Sequence, residues 1–284
     1  MFVLEIENSN GERLKLTEDE SIYQVMKVEG LTPPQAEITT VPVANMHGER
    51  FKSSRIEMRE LVLEVKIGGE VEKNRIKLYN FFDTGNMCRV HYTNGSRSVG
   101  ITAYCENFDG DLFSISQEVQ ISLLCPKPFW EGLEAIKADI SQVIGGFVFP
   151  FAISSSGIEF TRFVRGRETN VINRGDRDCG IIISIKSNGD GVENPIIYDV
   201  ATGNFFKVRQ TMSAGDVITI NTNIGEKSIK LTSNGVSSNI MGKVMRGSTW
   251  FDLKKGTNMF TYSADVGVDS LEITMEYRLL YSGV

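Results

Sequence analysis

From Leu271 to Tyr281 every second residue is apolar or aromatic: Leu271, Ile273, Met275, Tyr277, Leu279 and Tyr281. A period of two is the side-chain period of a strand, and a helix would scatter these residues around its axis. The run predicts a strand with one buried face, lying inside a sheet rather than at its edge. The same alternation recurs along most of the chain and limits it to a mainly β fold.

RIEMRELVLEVKI, residues 55–67, places Ile56 and Met58 on one face, then Leu61, Leu63, Val65 and Ile67, with a slip of phase at Arg59-Glu60 that a β-bulge would produce. Strands are predicted near 87–93 and 97–105, joined by Asn94-Gly95, a favoured hairpin turn. Before residue 130 only GEVEKNRIKLYNFFDTGN changes period: Val71, Arg75, Leu78, Tyr79 and Phe82 suit a short helix, with Gly85 beyond its end. Val119, Ile121 and Leu123 form another strand face, which meets Cys125-Pro126-Lys127-Pro128-Phe129-Trp130. The two prolines remove backbone donors and end the ladder, marking a domain boundary.

Residues 131–143 place Leu133, Ile136, Ile140 and Val143 at helical spacing and read as a helical connector. Beyond it, short strands are predicted at 146–152, 157–163, 168–173, 180–186, 195–200, 203–209, 216–222, 226–232 and 258–263. Turn signals about every eight to twelve residues indicate a sandwich or jelly roll. The expected architecture is two β-sandwich-type domains, the first with one short helix, spanning 1–135 and 146–284 with a connector at 136–145. A chain of 284 residues can bury two such cores.

No run of about eighteen apolar residues is present, so no helical membrane insertion is expected. The opening MFVLEIENSNGERLKL lacks a basic region, a long apolar core and a small-residue cleavage site, which predicts no export signal. Residues 1–135 hold 14 Lys and Arg against 21 Asp and Glu, and the remainder hold 16 against 15. That acidic first half argues against binding a phosphate backbone.

Catalytic and metal chemistry find little material. There are two histidines, His47 and His91, and GxSxG, HExxH and Walker A patterns are absent. The four cysteines, at 88, 105, 125 and 179, show no paired ligand spacing and are expected to be reduced and buried. On a strand, Cys88 and His91 would face opposite sides, which disfavours a shared metal. Asp176 and Asp178 in NRGDRDCG read as a polar loop, and the Arg174-Gly175-Asp176 tripeptide has local turn reasons to occur. Trp250-Phe251 could offer an aromatic platform to a sugar ring, although alternation turns one of two neighbours into the core. The expectation is a protein that is not an enzyme and needs no cofactor or metal.

GLTPPQAEITT at 30–40, HGERF at 47–51, VLEVKIGG at 62–69, RIKLYNFF at 75–82 and QISLLCPKPFW at 120–130 occur in an order that resembles phage distal tail proteins of the siphovirus-type tail component family. GDVITINTNIGEKSIKL at 215–231 and STWFDLKKGTNMFTYSAD at 248–265 extend the resemblance through the second half. It implies a virion structural protein assembled in the bacterial host cytoplasm and located at the distal end of the tail. There a homo-hexameric hub ring built from the first domain joins the tail tube protein to tip or receptor-binding proteins. DNA would pass through the ring without specific binding. The second domain would be a galectin-like or carbohydrate-module-like sandwich at the periphery; the alternative function is a module that binds host surface glycans through it, with Trp250 and Phe251 in contact. Cys125, Pro126, Pro128, Phe129 and Trp130 would pack where the two domains meet.

Overall fold

The computed structural model describes residues 2–17, 22–45, 47–110, 117–140 and 169–284. The strands expected at 146–152 and 157–163 lie outside them. The chain divides into two units, Met1–Leu133 with Leu280–Val284, and Glu134–Leu279. The division differs from a simple succession of halves, because five residues from the far end of the sequence belong to the first unit.

The first unit contains β1 (Val3–Asn8), β2 (Arg13–Leu16), β3 (Tyr23–Glu29), β4 (Ala36–Pro42), β5 (Glu49–Ile56), β6 (Arg59–Ile67), α1 (Val71–Phe81), β7 (Met87–Thr93), β8 (Ser98–Gly110), β9 (Glu118–Cys125) and β10 (Trp130–Gly132). Its main sheet runs β2-β1-β7-β8-β9-β6-β3. The two edge strands meet through a parallel bridge between Thr17 and Gln24, where the Val25 amide donates to the Thr17 carbonyl at 3.2 Å. The sheet is thereby curled nearly closed around the alternating residues Leu4, Ile6, Leu61, Leu63, Val65, Val90, Ile101, Ile121 and Leu123, all buried. Leu78 of α1 and Phe82 just beyond it belong to this core. Asn94 caps the β7–β8 hairpin: its Oδ1 accepts from the amides of Ser96 and Arg97 at 2.9 and 2.8 Å.

The phase slip at Arg59-Glu60 is not a bulge. It is the junction between β5, which belongs to a separate hairpin, and β6, which belongs to the barrel-like sheet. Two strands that face different surroundings need not share a phase. A register shift does occur opposite β6, between Val25 and Lys27 of β3.

The second unit contains β11 (Ile136–Asp139), β12 (Thr169–Asn173), β13 (Ile181–Ser187), β14 (Val192–Glu193), β15 (Ile196–Asp199), β16 (Phe205–Lys207), β17 (Thr211–Met212), β18 (Val217–Asn221), β19 (Ser228–Ser233), β20 (Val236–Asn239), β21 (Gly256–Ser263) and β22 (Leu271–Tyr277). A six-stranded sheet ordered β11-β22-β13-β18-β19-β20 and a four-stranded sheet ordered β12-β21-β15-β16 form the sandwich. Ile183, Ile185, Ile218, Ile220, Ile273 and Met275 on one sheet and Val171, Ile197, Phe206 and Phe260 on the other are buried.

Two expectations fail here for identifiable reasons. The helix expected over 131–143 is instead β10 and β11, with residues 141–143 outside the described residues. Ile136 and Ile140 are four apart, which suits a helix but also places both on one face of an extended chain; pairing of β11 with β22 decides it. The regular run from Leu271 to Tyr281 lies inside the sheet as far as Tyr277, between β11 and β13, and then breaks. Its last residues form β23 (Leu280–Tyr281), which pairs with β10 in the first unit.

Candidate assembly surface

Two features of the first unit bear on assembly, one exposed and one buried. The first is the hairpin β4–β5, paired from Ala36↔Ile56 to Pro42↔Glu49 and, among the described residues, with no other strand. Nearly every residue in it is exposed, including Ile38 at 62% and Phe51 at 60%. The register places Ile38 and Phe51 on one face. An isolated two-stranded ribbon is marginally stable at best in water, so an arm that shows apolar side chains on its own needs something to lie against. It carries Arg50, Lys52 and Arg55 against Glu37 and Glu49. On the outward positions of β6, β8 and β9, Glu60, Glu64, Glu106 and Glu118 outnumber the single cation Lys66, alternating with buried residues.

The second feature is a node built on Arg59 and Trp130. Arg59 is 3% exposed, and burial pushes its pKa down. Its guanidinium donates to the backbone carbonyls of Thr32 at 2.6 Å, Pro128 at 2.8 Å and Ser282 at 2.6 Å, and also to that of Gly30. A buried cation held by carbonyl dipoles is costly to strip of any one of them. Gly30 has a φ of +83°, and a Cβ there would fall 2.0 Å from the Glu60 carbonyl oxygen. Only glycine lets that strand end approach so closely.

Trp130 is fully buried and packs against Tyr92 with ring centroids 6.3 Å apart, while Arg59 sits 5.8 Å from its ring centre. Its backbone pairs with Tyr281. All of these partners lie in the first unit. Cys125 is buried, Phe129 and Pro128 are half-buried and Pro126 is exposed. The double-proline segment therefore ends β9 and turns the Pro128 carbonyl onto Arg59, a role that strand periodicity does not reveal.

The remaining candidates resolve locally. The four thiols are free and buried. Burial pushes those of Cys88, Cys125 and Cys179 up to about 12, which makes them inert as nucleophiles. His91 faces away from Cys88, with its Nε2 4.0 Å from a Glu7 oxygen; burial, then Arg89 and Arg13, hold its pKa below 6.5. No metal-binding cluster of His, Cys, Asp and Glu occurs among the described residues. Asp178 receives the Lys254 ammonium at 2.9 Å and the Lys255 amide at 2.9 Å, an arrangement that ties a loop. Gly175 of the Arg-Gly-Asp tripeptide is buried, its amide donating to Asn173 Oδ1 at 2.9 Å, so the tripeptide is not displayed on a protruding tip. Phe251 is buried against Phe260. Trp250 is half-buried, edge-to-face with Phe206 at 5.0 Å, and the Lys227 ammonium lies 5.5 Å from its ring centre.

Residues 174–281 match the family described as siphovirus-type tail component, C-terminal domain. The fold of the chain is also similar over its whole length to solved structures. The crystal structure of SPP1 Dit (gp 19.1), described as a paradigm of the hub adsorption apparatus in phages infecting Gram-positive hosts, is similar with a TM-score of 0.70 and 15% identity over 99% of each chain. A chain of the phage P2 baseplate in its activated conformation with calcium is similar with a TM-score of 0.57 and 10% identity over 100% of each chain. A search of curated proteins found no match. These likenesses show a shared fold along the whole chain, and the family model matches within the second unit.

Proposed function

We propose that this chain is a siphovirus-type tail component that forms a homo-hexameric hub ring at the distal end of a phage tail tube and joins the tube to tip and receptor-binding proteins. The observation that carries this is the likeness to SPP1 Dit along 99% of both chains, together with the family match in the second unit. The exposed arm supports it. Closed rings are built from heterologous contacts, in which one surface of each copy meets a different surface of the next. The arm, with its basic residues and the apolar Ile38 and Phe51, complements the acidic outward face of a neighbouring copy's barrel. Carboxylates around an opening would also repel duplex DNA, which would pass without sticking.

Assembly would take place in the host cytoplasm, and the second unit would lie at the ring's periphery. Electron microscopy of particles labelled with antibody against this chain tests the placement. Label confined to the distal tail tip is expected; label along the tube or at the head would overturn it.

A further inference from the structure

The first unit is not finished when its first 133 residues have been made. The chain leaves it after Leu133, builds the whole of the second unit, and returns at Leu280. What it then adds is small but closes several open positions at once. Tyr281 and Leu280 pair with Trp130 and Glu131 through β23 and β10. The Ser282 carbonyl accepts from the buried Arg59, and the Gly283 carbonyl accepts from Arg97, whose guanidinium lies 4.6 Å from the Tyr281 ring centre. The Val284 amide donates to the Leu31 carbonyl at 3.1 Å. Gly283 is seated tightly enough that a Cβ would come within 3.1 Å of the Leu31 oxygen and of Pro33.

We propose that residues 280–284 are a latch that completes the first unit, so that a chain interrupted before Leu280 has a folded second unit but a first unit that cannot enter an assembly. The physical reason is the Arg59–Trp130 node. Without the latch, a buried guanidinium loses one of four carbonyls and the strand containing the largest buried side chain of this unit loses a partner. Leaving a buried charge under-satisfied is disfavoured more strongly than losing an exposed contact, so the node opens to water. The second unit uses none of residues 280–284 and would not respond. Synthesis order then makes the assembling unit the last to close: every chain that could join a neighbour already carries a complete second unit. The assembly half of the proposal rests on the ring reading given above; the latch itself does not.

The molecule supplies its own probe, since its two tryptophans lie one in each unit. In a Trp250→Phe background, Trp130 alone reports the first unit. Three proteins are compared: the background chain, the same chain ending at Leu279, and the full-length Gly283→Val variant, which keeps all residues but crowds the seat. Tryptophan emission, hydrogen exchange by mass spectrometry and sedimentation are measured on each.

The shortened chain should show red-shifted Trp130 emission and at least about tenfold faster exchange at residues 30–32 and 128–132, the factor expected for losing one hydrogen bond to a charged group. Exchange in 181–187 and 271–277 should be unchanged, and the protein should not oligomerise. Gly283→Val should show the same changes in weaker form, and it decides the matter if the shortened chain cannot be purified. Unshifted emission and unchanged exchange in either variant would overturn the latch. Opened emission with assembly intact would overturn its control of assembly, whereas a background chain that is itself monomeric would refute the ring reading and leave the latch to be judged by emission and exchange.

Discussion

The Arg59 guanidinium donates a 2.6 Å hydrogen bond to the carbonyl of Ser282, a residue 223 positions away along the chain. The same guanidinium reaches Pro128 at 2.8 Å, so one buried side chain gathers the start of β6, the double-proline turn and the returning latch. A first unit organised in this way should be sensitive at its node and tolerant at its arm.

Trp130 is the direct test of the node. Trp130→Ala should destabilise the first unit by about 3–5 kcal/mol in denaturant unfolding, the range for emptying a buried large aromatic site. Trp130→Phe should cost clearly less, because the indole Nε1 has no hydrogen-bond partner among the described residues and the ring contact with Tyr92 survives. Equal losses for the two variants would show that the indole nitrogen matters in a way the geometry does not support.

His91 gives the fold a pH dependence whose sign follows from its surroundings. Burial, then Arg89 and Arg13, depress its folded pKa below 6.5 despite Glu7 and Glu5 nearby. As pH falls below 6.5 the unfolded chain therefore takes up this proton first, and the contribution of neutral His91, fully present above 6.5, is lost as pH drops toward the folded pKa. The urea midpoint should fall more steeply on acidification below 6.5 in the natural sequence than in His91→Gln. Parallel curves would assign the dependence to other groups.

Much of the fold was legible because it depends on local periodicity. The helix over Val71–Phe81, the Asn94-Gly95 hairpin and most strands of the second unit coincide with their sequence patterns. The arm was not legible as an arm, since pairing strength and turn chemistry look alike in a solitary hairpin and in a buried sheet. Residues 131–143 deceived because Ile136 and Ile140 satisfy two periods at once. The node could not be read at all. Arg59 sits where a charged residue at a strand start looks solvent-facing, and its partners are carbonyls, which carry no side-chain signature. Long-range closure by residues 280–284 leaves no trace in composition or spacing.

If the first unit surrounds a passage for DNA, its acidic surplus should leave the intact protein without measurable affinity for duplex DNA at low salt, where weak basic patches are most visible. Fluorescence anisotropy with a labelled duplex, followed as salt is lowered, checks this. Binding that strengthens as salt falls would contradict the repulsive lumen.

A closed ring made through the arm is tested most directly by native mass spectrometry of the purified protein. Such a ring predicts a dominant species of six times the 31.6 kDa chain. It also predicts that the double variant Ile38→Asp, Phe51→Asp, altered only at exposed positions, is monomeric with an unfolding midpoint within about 0.5 kcal/mol of the natural protein's stability. A natural protein that stays monomeric across the micromolar range, or a hexamer undisturbed by both aspartates, would contradict it.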